Sequence, residues 1–162
     1  MADDQSLADR HYLLRAIALS AGQVTSGRGG PFGAVVVRDG VIIAEGCNEV
    51  TSAFDPTAHA EVVAIRRACS SLRDFSLAGA TIYASCEPCP MCLAAIYWAR
   101  LDRLVFANTR AEAAAIGFDD ALIYDEIPKP VLGRRLPTLH LPLREGLDAF
   151  SAWARKPDKI AY

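Results

Sequence analysis

The stretch of sequence that decides the fold is TIYASCEPCPMCLAAIYWARLDRLVF, residues 81–106. It starts and ends with runs of β-branched and aromatic residues, at 81–84 and 104–106, which are typical of strands. Between them, residues from about 89 to 100 show a helical pattern that opens on a proline turn. A strand, a helix and a second strand in this order predict two parallel strands joined by a right-handed crossover.

The rest of the chain adds a hairpin and further helices. Two β-branched runs, at 34–37 and 41–44, flank Asp39-Gly40, a pair that favours a two-residue hairpin turn. Ser6 starts a helical pattern, with Asp9 placed as in a capping box and Gly22 as the expected end. The other predicted elements are helices over residues 57–71, 111–116 and 143–154 and a short edge strand over 139–141. Together they predict an α/β fold, a three-layer α/β/α sandwich with a central mixed sheet of about five strands.

Composition limits the possible class of protein. The chain has 162 residues, with 17 Lys and Arg against 19 Asp and Glu and a formal net charge of -2. This balance lacks the basic footprint of most proteins that bind nucleic acid. No apolar run approaches the roughly 20 residues that cross a bilayer, and the acidic N-terminus precedes no signal-peptide core. We expect a single domain over residues 1–162, located in the cytoplasm, with no nucleic-acid or membrane partner.

Residues 127–162 differ in character from the rest of the chain. Pro128, Pro130, Pro137 and Pro142 lie close together and disfavour a regular element over most of residues 127–142. So extended a segment does not close the core of its own subunit neatly. We therefore expect it to pack across a second subunit.

Two short motifs carry residues suited to chemistry, His59-Ala60-Glu61 and Pro88-Cys89-Pro90-Met91-Cys92. One imidazole nitrogen and two sulfurs are ligands that zinc prefers. Three protein ligands leave a fourth position open for water, whose pKa the metal lowers to about 7. The odd number of cysteines, 5, argues for a reducing compartment and against a disulfide framework. We predict that His59, Cys89 and Cys92 hold one Zn²⁺ per subunit.

Glu61 is predicted to be the catalytic residue, acting as a proton shuttle rather than as a fourth ligand. A carboxylate beside the metal can accept a proton from the water and pass it on. Positions two apart in a regular helix point about 200° away from each other. His59 and Glu61 can therefore share a site only if their helix begins irregularly beside them.

The two motifs together form the H-x-E and P-C-x-x-C signature of zinc-dependent nucleobase deaminases. With its longer motifs, the chain resembles the cytidine deaminase superfamily over nearly its whole length, and the resemblance implies the fold of that superfamily. The stretches that carry it are GPFGA at 30–34, Asn48, DPTAHAE at 55–61 and SCEPCPMC at 85–92. Within the superfamily, IYWAR at 96–100, GFDD at 117–120 and the final Tyr162 resemble the bacterial members that deaminate guanine.

This resemblance implies hydrolysis of guanine to xanthine and ammonia, by attack of zinc-bound hydroxide on C2 with Glu61 as proton shuttle. It also implies a homodimer whose subunits exchange the segment 127–162, so that Tyr162 of one subunit helps to close the pocket of the other. The purine base is the implied substrate. By position, the residues implied to contact it are Asn48 at the purine edge, Asp120 or Asp119 at a ring or amino N–H, Phe32 and Trp98 against the ring, and Ala60.

Two other functions are alternatives at this point. A tRNA-specific adenosine deaminase of the same superfamily would share Asn48 and both motifs, but RNA binding favours a basic terminal helix, and residues 144–156 carry charges of both signs. A closed Cys₃His site that includes Cys86 would instead make the chain a zinc-stabilised interaction module without activity. Pro88 and Pro90 turn the chain between the cysteines, and a closed site leaves Glu61 without a role; both points argue against it.

Overall fold

The computed structural model describes residues 2–161, with side chains from Gln5 onward. These residues form two compact units, one up to Asp120 and one from Ala121 onward. The first unit holds the whole sheet and both motifs. None of the helices within residues 2–161 has both the length and the apolar character that crossing a bilayer requires.

The sheet has four strands in the described part of the chain: β1 (Gly33–Arg38), β2 (Val41–Cys47), β3 (Ala80–Cys86) and β4 (Arg103–Asn108). Their order is β2-β1-β3-β4. Strand β1 is antiparallel to both β2 and β3, whereas β3 and β4 are parallel. The predicted mixed sheet is confirmed, but the count of about five strands is too high.

The missing strand is the edge strand predicted over residues 139–141, which lie in an irregular stretch. Pro137 and Pro142 flank this stretch, and neither has a backbone N–H with which to continue a ladder of hydrogen bonds. The four residues between them, 138–141, are too few to form a stable edge. That prediction is wrong.

The hairpin of β1 and β2 is confirmed. Its two turn residues, Asp39 and Gly40, have φ angles of 53° and 73°. Positive φ at both central positions is what a type I′ turn requires, and this turn matches the twist of the paired strands. It places Arg38 opposite Val41 at the end of the ladder.

The first helix is longer than predicted. Helix α1 (Ala2–Ser26) begins before Ser6 and continues through Gly22, so the predicted capping box and the predicted end are both wrong. One glycine costs a helix only about 1 kcal/mol relative to alanine, which neighbouring contacts can offset. The helix ends at Ser26 and is followed by Gly27, whose φ of 64° suits a glycine.

Helices cover both faces of the sheet, as the predicted three layers require. Along β1 the side chains alternate between the two faces. Val35 and Val37 pack with Ala16 of α1, whereas Ala34 and Val36 pack in a second cluster with buried residues of the other helices. The remaining helices of the first unit are α2 (Val50–Ala53), α3 (Ala60–Leu72), α4 (Pro90–Trp98) and α5 (Arg110–Ala115). Those of the second unit are α6 (Ala121–Glu126), a 3₁₀ turn (Val131–Gly133) and α7 (Arg144–Arg155).

Candidate active site

Helix α3 begins at Ala60, three residues later than predicted, because the preceding residues form tight turns. The backbone N–H of Ala58 donates to the carbonyl of Asp55 at 3.0 Å, and the N–H of His59 donates to the carbonyl of Thr57 at 2.8 Å. His59 is the N-cap residue, with an extended φ of -68° and ψ of 154°. Its side chain therefore does not follow the angular spacing of the helix, so His59 and Glu61 can face one site although they are two residues apart.

Cys89 has the same position in front of α4. It is the N-cap residue, with φ of -64° and ψ of 168°, and Pro90 opens the helix behind it. Proline suits this position because its fixed φ is helical and the first turn needs no donor there. Cys92 follows within the first turn and is fully buried.

Within the described part of the chain, His59, Cys89 and Cys92 form a group that could hold a metal ion. Their ligand atoms all lie within 4.8 Å of one another. The Nδ1 atom of His59 is 3.6 Å from the Sγ atom of Cys89. A tetrahedral zinc site with bonds of about 2.0–2.3 Å places neighbouring ligand atoms roughly 3.5–3.8 Å apart. The donor types and their spacing therefore fit zinc.

Cys86 lies outside this group. Its thiol points towards the carbonyl oxygen of Thr109, 3.6 Å from its sulfur. Burial and the nearby Glu61 carboxyl raise the pKa of the Cys86 thiol to about 11, so it stays protonated at neutral pH. The structure thus does not assemble the closed Cys₃His site, and the fourth position beside His59, Cys89 and Cys92 is not taken by this sulfur.

The two motif cysteines differ in acidity. A hydrogen bond from the Cys92 thiol, together with His59, lowers the pKa of Cys89 to about 4 against the opposing effect of burial. The same hydrogen bond and burial raise the pKa of Cys92. Interaction with Cys89 raises the pKa of His59. Cys89 is therefore the more readily ionised thiol of the pair.

Glu61 lies in the first turn of α3 and is 8% exposed. Burial raises the pKa of its carboxyl group. A carboxyl group whose pKa is shifted towards neutrality exchanges protons more readily at physiological pH than an ordinary glutamate does. Its position beside the sulfur of Cys92 suits the predicted proton-shuttle role.

Asn48 is a buried side chain held by backbone groups. Its Oδ1 atom accepts hydrogen bonds from the N–H groups of Gly30 at 3.2 Å and Val50 at 3.3 Å. The backbone N–H of Asn48 donates to the carbonyl of Phe32 at 3.1 Å. Because Oδ1 is engaged, the hydrogen bond that the side chain can offer a ligand comes from Nδ2.

Phe32 packs against Phe118, which lies two residues before Asp120 in the sequence. The rings of Phe32 and Phe118 meet edge to face, with centroids 4.9 Å apart. Burial, and then the negative charge of Cys89, raise the pKa of Asp120, whereas Asp119 is exposed. Asp120 is thus the more buried of the two neighbouring aspartates.

The other residues predicted to contact the substrate are Ala60, Trp98 and Tyr162. Ala60 is buried at the start of α3, where its carbonyl closely approaches Gly46 of β2. Trp98 is the last residue of α4 and is 61% exposed, with the Arg100 guanidinium 5.8 Å from its ring centroid. Tyr162 lies outside the described residues.

Two residues of the region had no role in the sequence-based prediction. Phe118 belongs to the GFDD stretch but was given no function; its place beside two aspartates was the available signal. Gln23 is a buried polar residue of α1. The sequence feature that could have indicated its burial is the spacing of seven residues from the buried Ala16, which places both residues on one face of the helix.

Fold and site together define a zinc-binding deaminase. Residues 7–108 match the family described as the cytidine and deoxycytidylate deaminase zinc-binding region. The chain belongs to this family.

The chain is more similar in sequence to a guanine deaminase than to a tRNA-specific adenosine deaminase. The chain is 52% identical over 151 residues to the guanine deaminase of Bacillus subtilis (strain 168), which covers 93% of this chain and 97% of that protein. The X-ray structure of guanine deaminase from Bacillus subtilis superposes with a TM-score of 0.92 at 51% identity and covers 94% of this chain and 98% of that one. The tRNA-specific adenosine deaminase of Aquifex aeolicus (strain VF5) is less similar, at 32% identity over 126 residues, 78% of this chain and 81% of that protein.

Proposed function

We propose that this protein hydrolyses guanine to xanthine and ammonia. The observation that carries the proposal is the extent of the likeness to the Bacillus subtilis guanine deaminase, 93% of the chain. This likeness extends beyond residues 7–108, the region shared with the wider family. Two of the residues that we propose to contact the base, Asp120 and Tyr162, lie outside this shared region, whereas the metal ligands and the proton carrier lie within it.

The chemistry needs an activated water molecule and a proton carrier. His59, Cys89 and Cys92 would hold a zinc ion, which when bound supplies the Lewis acidity that makes hydroxide available near neutral pH. Glu61 accepts the proton released by the water and delivers it to a ring nitrogen of the purine. A new C2–O bond forms, the C2–N bond to the amino group breaks, and Glu61 helps the amine to leave as ammonia. Guanine and water thus give xanthine and ammonia in balance.

Polar contacts would orient the base. We propose that Asn48 donates from Nδ2 to an acceptor at the purine edge, since its Oδ1 is held by two backbone N–H groups. Asp120 would accept from a ring or amino N–H. Phe32, supported by Phe118, would pack against the ring. Trp98, Ala60 and Tyr162 complete the proposed set of contacts.

The test of the activity is a comparison of substrates. The protein would be incubated with guanine, adenine, cytosine, guanosine and a tRNA anticodon stem-loop, and ammonia release would be measured. We expect guanine to be turned over fastest, with xanthine formed in equal amount. A stem-loop deaminated far faster than guanine would instead make the protein a tRNA adenosine deaminase, the function of the Aquifex aeolicus relative.

We also propose that the protein is a cytoplasmic homodimer whose subunits exchange residues 127–162. The second unit exposes large apolar side chains, including Leu132 at 80%, Leu139 at 83% and Phe150 at 75%. On α7, Leu147 and Phe150 are spaced to share one face of the helix. Apolar surface on this scale commonly marks a binding face, and a second copy of the chain would supply its cover.

A further inference from the structure

Helix α1 carries a buried polar side chain that the proposed chemistry does not use. Gln23 is 8% exposed, and its Nε2 atom donates to the backbone carbonyl of Asn48 at 2.5 Å. The hydroxyl of Ser26 donates to the Gln23 backbone carbonyl at 3.1 Å and lies 3.4 Å from its Oε1. Because a backbone carbonyl can only accept a hydrogen bond, the side-chain atom directed towards Asn48 is the donor Nε2.

The backbone at Asn48 is confined on several sides. Its N–H is engaged by the carbonyl of Phe32, and its carbonyl by Gln23. A Cβ atom on Gly29 would lie 1.9 Å from the Asn48 carbonyl oxygen, so the two chain segments approach as closely as a glycine allows. Gln23 thus binds the one backbone acceptor of the residue whose side chain we propose to contact the base.

This contact links two layers of the fold. Through Ala16, α1 packs on the face of β1 opposite to the cluster that contains Ala60 of α3. The side chain of Gln23 reaches from this outer helix to the loop that follows β2. Small displacements of a binding group cost a large part of its effect, since an error of about 1 Å can reduce rate about a hundredfold.

We infer that Gln23 is a positioning residue that fixes Asn48, and through it the affinity for the purine edge. The inference rests on the proposed contact between Asn48 and the base. Without the Gln23 donor, the buried carbonyl of Asn48 loses its hydrogen bond and the loop is free to shift. The loss is expected in substrate binding rather than in metal binding, because the ligands lie on α3 and α4.

The test compares Gln23→Met, which keeps the length of the side chain but removes the donor, with Tyr12→Phe as matched control. Tyr12 also donates from α1 to a backbone carbonyl, that of Gly40 at 2.6 Å, in the hairpin turn. With the zinc-loaded protein we expect Gln23→Met to raise KM for guanine at least fivefold, by roughly the loss of one buried hydrogen bond, with kcat changed less and zinc content unchanged. Tyr12→Phe should leave KM unchanged even where it lowers the melting temperature.

A double-mutant cycle with Asn48→Ala separates positioning from general damage. Gln23→Met should raise KM much less in the Asn48→Ala background than in the wild type. An equal effect in both backgrounds would overturn the inference. If Asn48→Ala itself leaves KM unchanged, the proposed contact of Asn48 with the base is wrong. In that case Gln23 cannot control the affinity for the base through Asn48 either.

A second measurement does not depend on guanine turnover. The side-chain amide signals of Asn48, assigned by their loss in Asn48→Ala, would be followed by ¹H–¹⁵N NMR. We expect Gln23→Met to shift or broaden them and Tyr12→Phe to leave them in place. If the Asn48 signals are unchanged in Gln23→Met, the inference is overturned even if guanine proves to be the substrate. If the signals shift but the protein is inactive on guanine, Gln23 still positions Asn48 and only the proposed function is refuted.

Discussion

The Nδ1 atom of His59 lies 3.6 Å from the Sγ atom of Cys89, across 30 positions of sequence. Each residue is the N-cap of a helix, and each has an extended backbone. The two helix starts therefore meet at one point, which lets ligands from separate parts of the chain share one ion. This geometry leads to the first prediction.

Replacing Cys92 by serine should remove zinc and activity together, because a neutral hydroxyl is a poor substitute for a thiolate. Cys86→Ser is the matched control, since Cys86 is also buried but lies outside the metal group. It should keep one zinc ion per chain. Metal analysis of the two purified variants checks the prediction. If Cys86→Ser lost its zinc as completely as Cys92→Ser, the prediction would be contradicted.

The close approach of α3 to β2 predicts a large effect of one methyl group. A Cβ atom on Gly46 would lie 2.2 Å from the carbonyl oxygen of Ala60 and 2.5 Å from the backbone nitrogen of Ala64. Gly46→Ala should push the start of α3, and Glu61 with it, away from the sheet. We expect a loss of stability of about 2 kcal/mol or more and a fall in guanine turnover, measured by denaturant unfolding and steady-state kinetics.

Gly22→Ala is the control for that substitution. Apart from its chain neighbours and the backbone of its own helix, no heavy atom lies within 4 Å of a Cβ at this position, which is inside α1. Alanine should therefore stabilise the helix by about 0.5–1 kcal/mol and leave turnover unchanged. Equal effects of the two substitutions would show that the close packing at Gly46 does not hold α3 in place.

Asp9 predicts a pH-dependent contribution to stability. Its carboxylate accepts hydrogen bonds from Arg103 at 2.7 and 2.6 Å and from the hydroxyl of Tyr83 at 2.8 Å. The bonds from Arg103 hold the pKa of Asp9 well below its usual value. A lowered pKa stabilises the fold above the unfolded-state value of about 4, and this stabilisation is lost as the pH falls towards the folded-state value.

Asp9→Asn should accordingly lower the free energy of unfolding by about 1 kcal/mol at pH 7, since solvent screens part of the pair. The difference from the wild type should shrink as the pH falls below about 4. Chemical denaturation between pH 7 and pH 3 measures it. A difference that stays constant or grows on acidification would contradict the role of the ionised carboxylate.

The exchanged segment can be tested by complementation. A chain that lacks residues 158–162 should bind zinc but lose most of its activity, and so should full-length Glu61→Gln. Co-expression of the two should restore up to about a quarter of wild-type activity, because half of the random dimers are hybrids with one intact site. A mixture that stays inactive, or a truncated chain with normal turnover, would contradict the exchange.

Local patterns in the sequence predicted most of the first unit. The Asp39-Gly40 pair specified its turn, and the two motifs marked the metal ligands, because both depend on neighbouring residues. The start of α3 was missed by three residues because it is set by the turns at Asp55 and Thr57, which compete with the helical pattern. Gly22 was predicted to end α1 because glycine is typical of helix ends. The helix continues to Ser26 because neighbouring contacts, which only the folded structure shows, offset the cost of one glycine.

Long-range contacts were not predictable in the same way. Gln23 meets Asn48 across 25 positions, and Asp9 meets Arg103 across 94. Gln23 and Asp9 both lie on α1, whose sequence contains many polar residues, so periodicity alone does not single either of them out. The identity of the partner depends on the order of the strands, which a hydrophobic pattern leaves undetermined.

The central claim is that Glu61 moves a proton beside a zinc site. The most direct test is the zinc content and xanthine formation of Glu61→Gln, in which the amide keeps the shape of the side chain but cannot accept the proton. We predict one zinc ion per chain and a rate of guanine deamination reduced about a thousandfold. A variant that keeps its zinc and still forms xanthine at the wild-type rate would contradict the account.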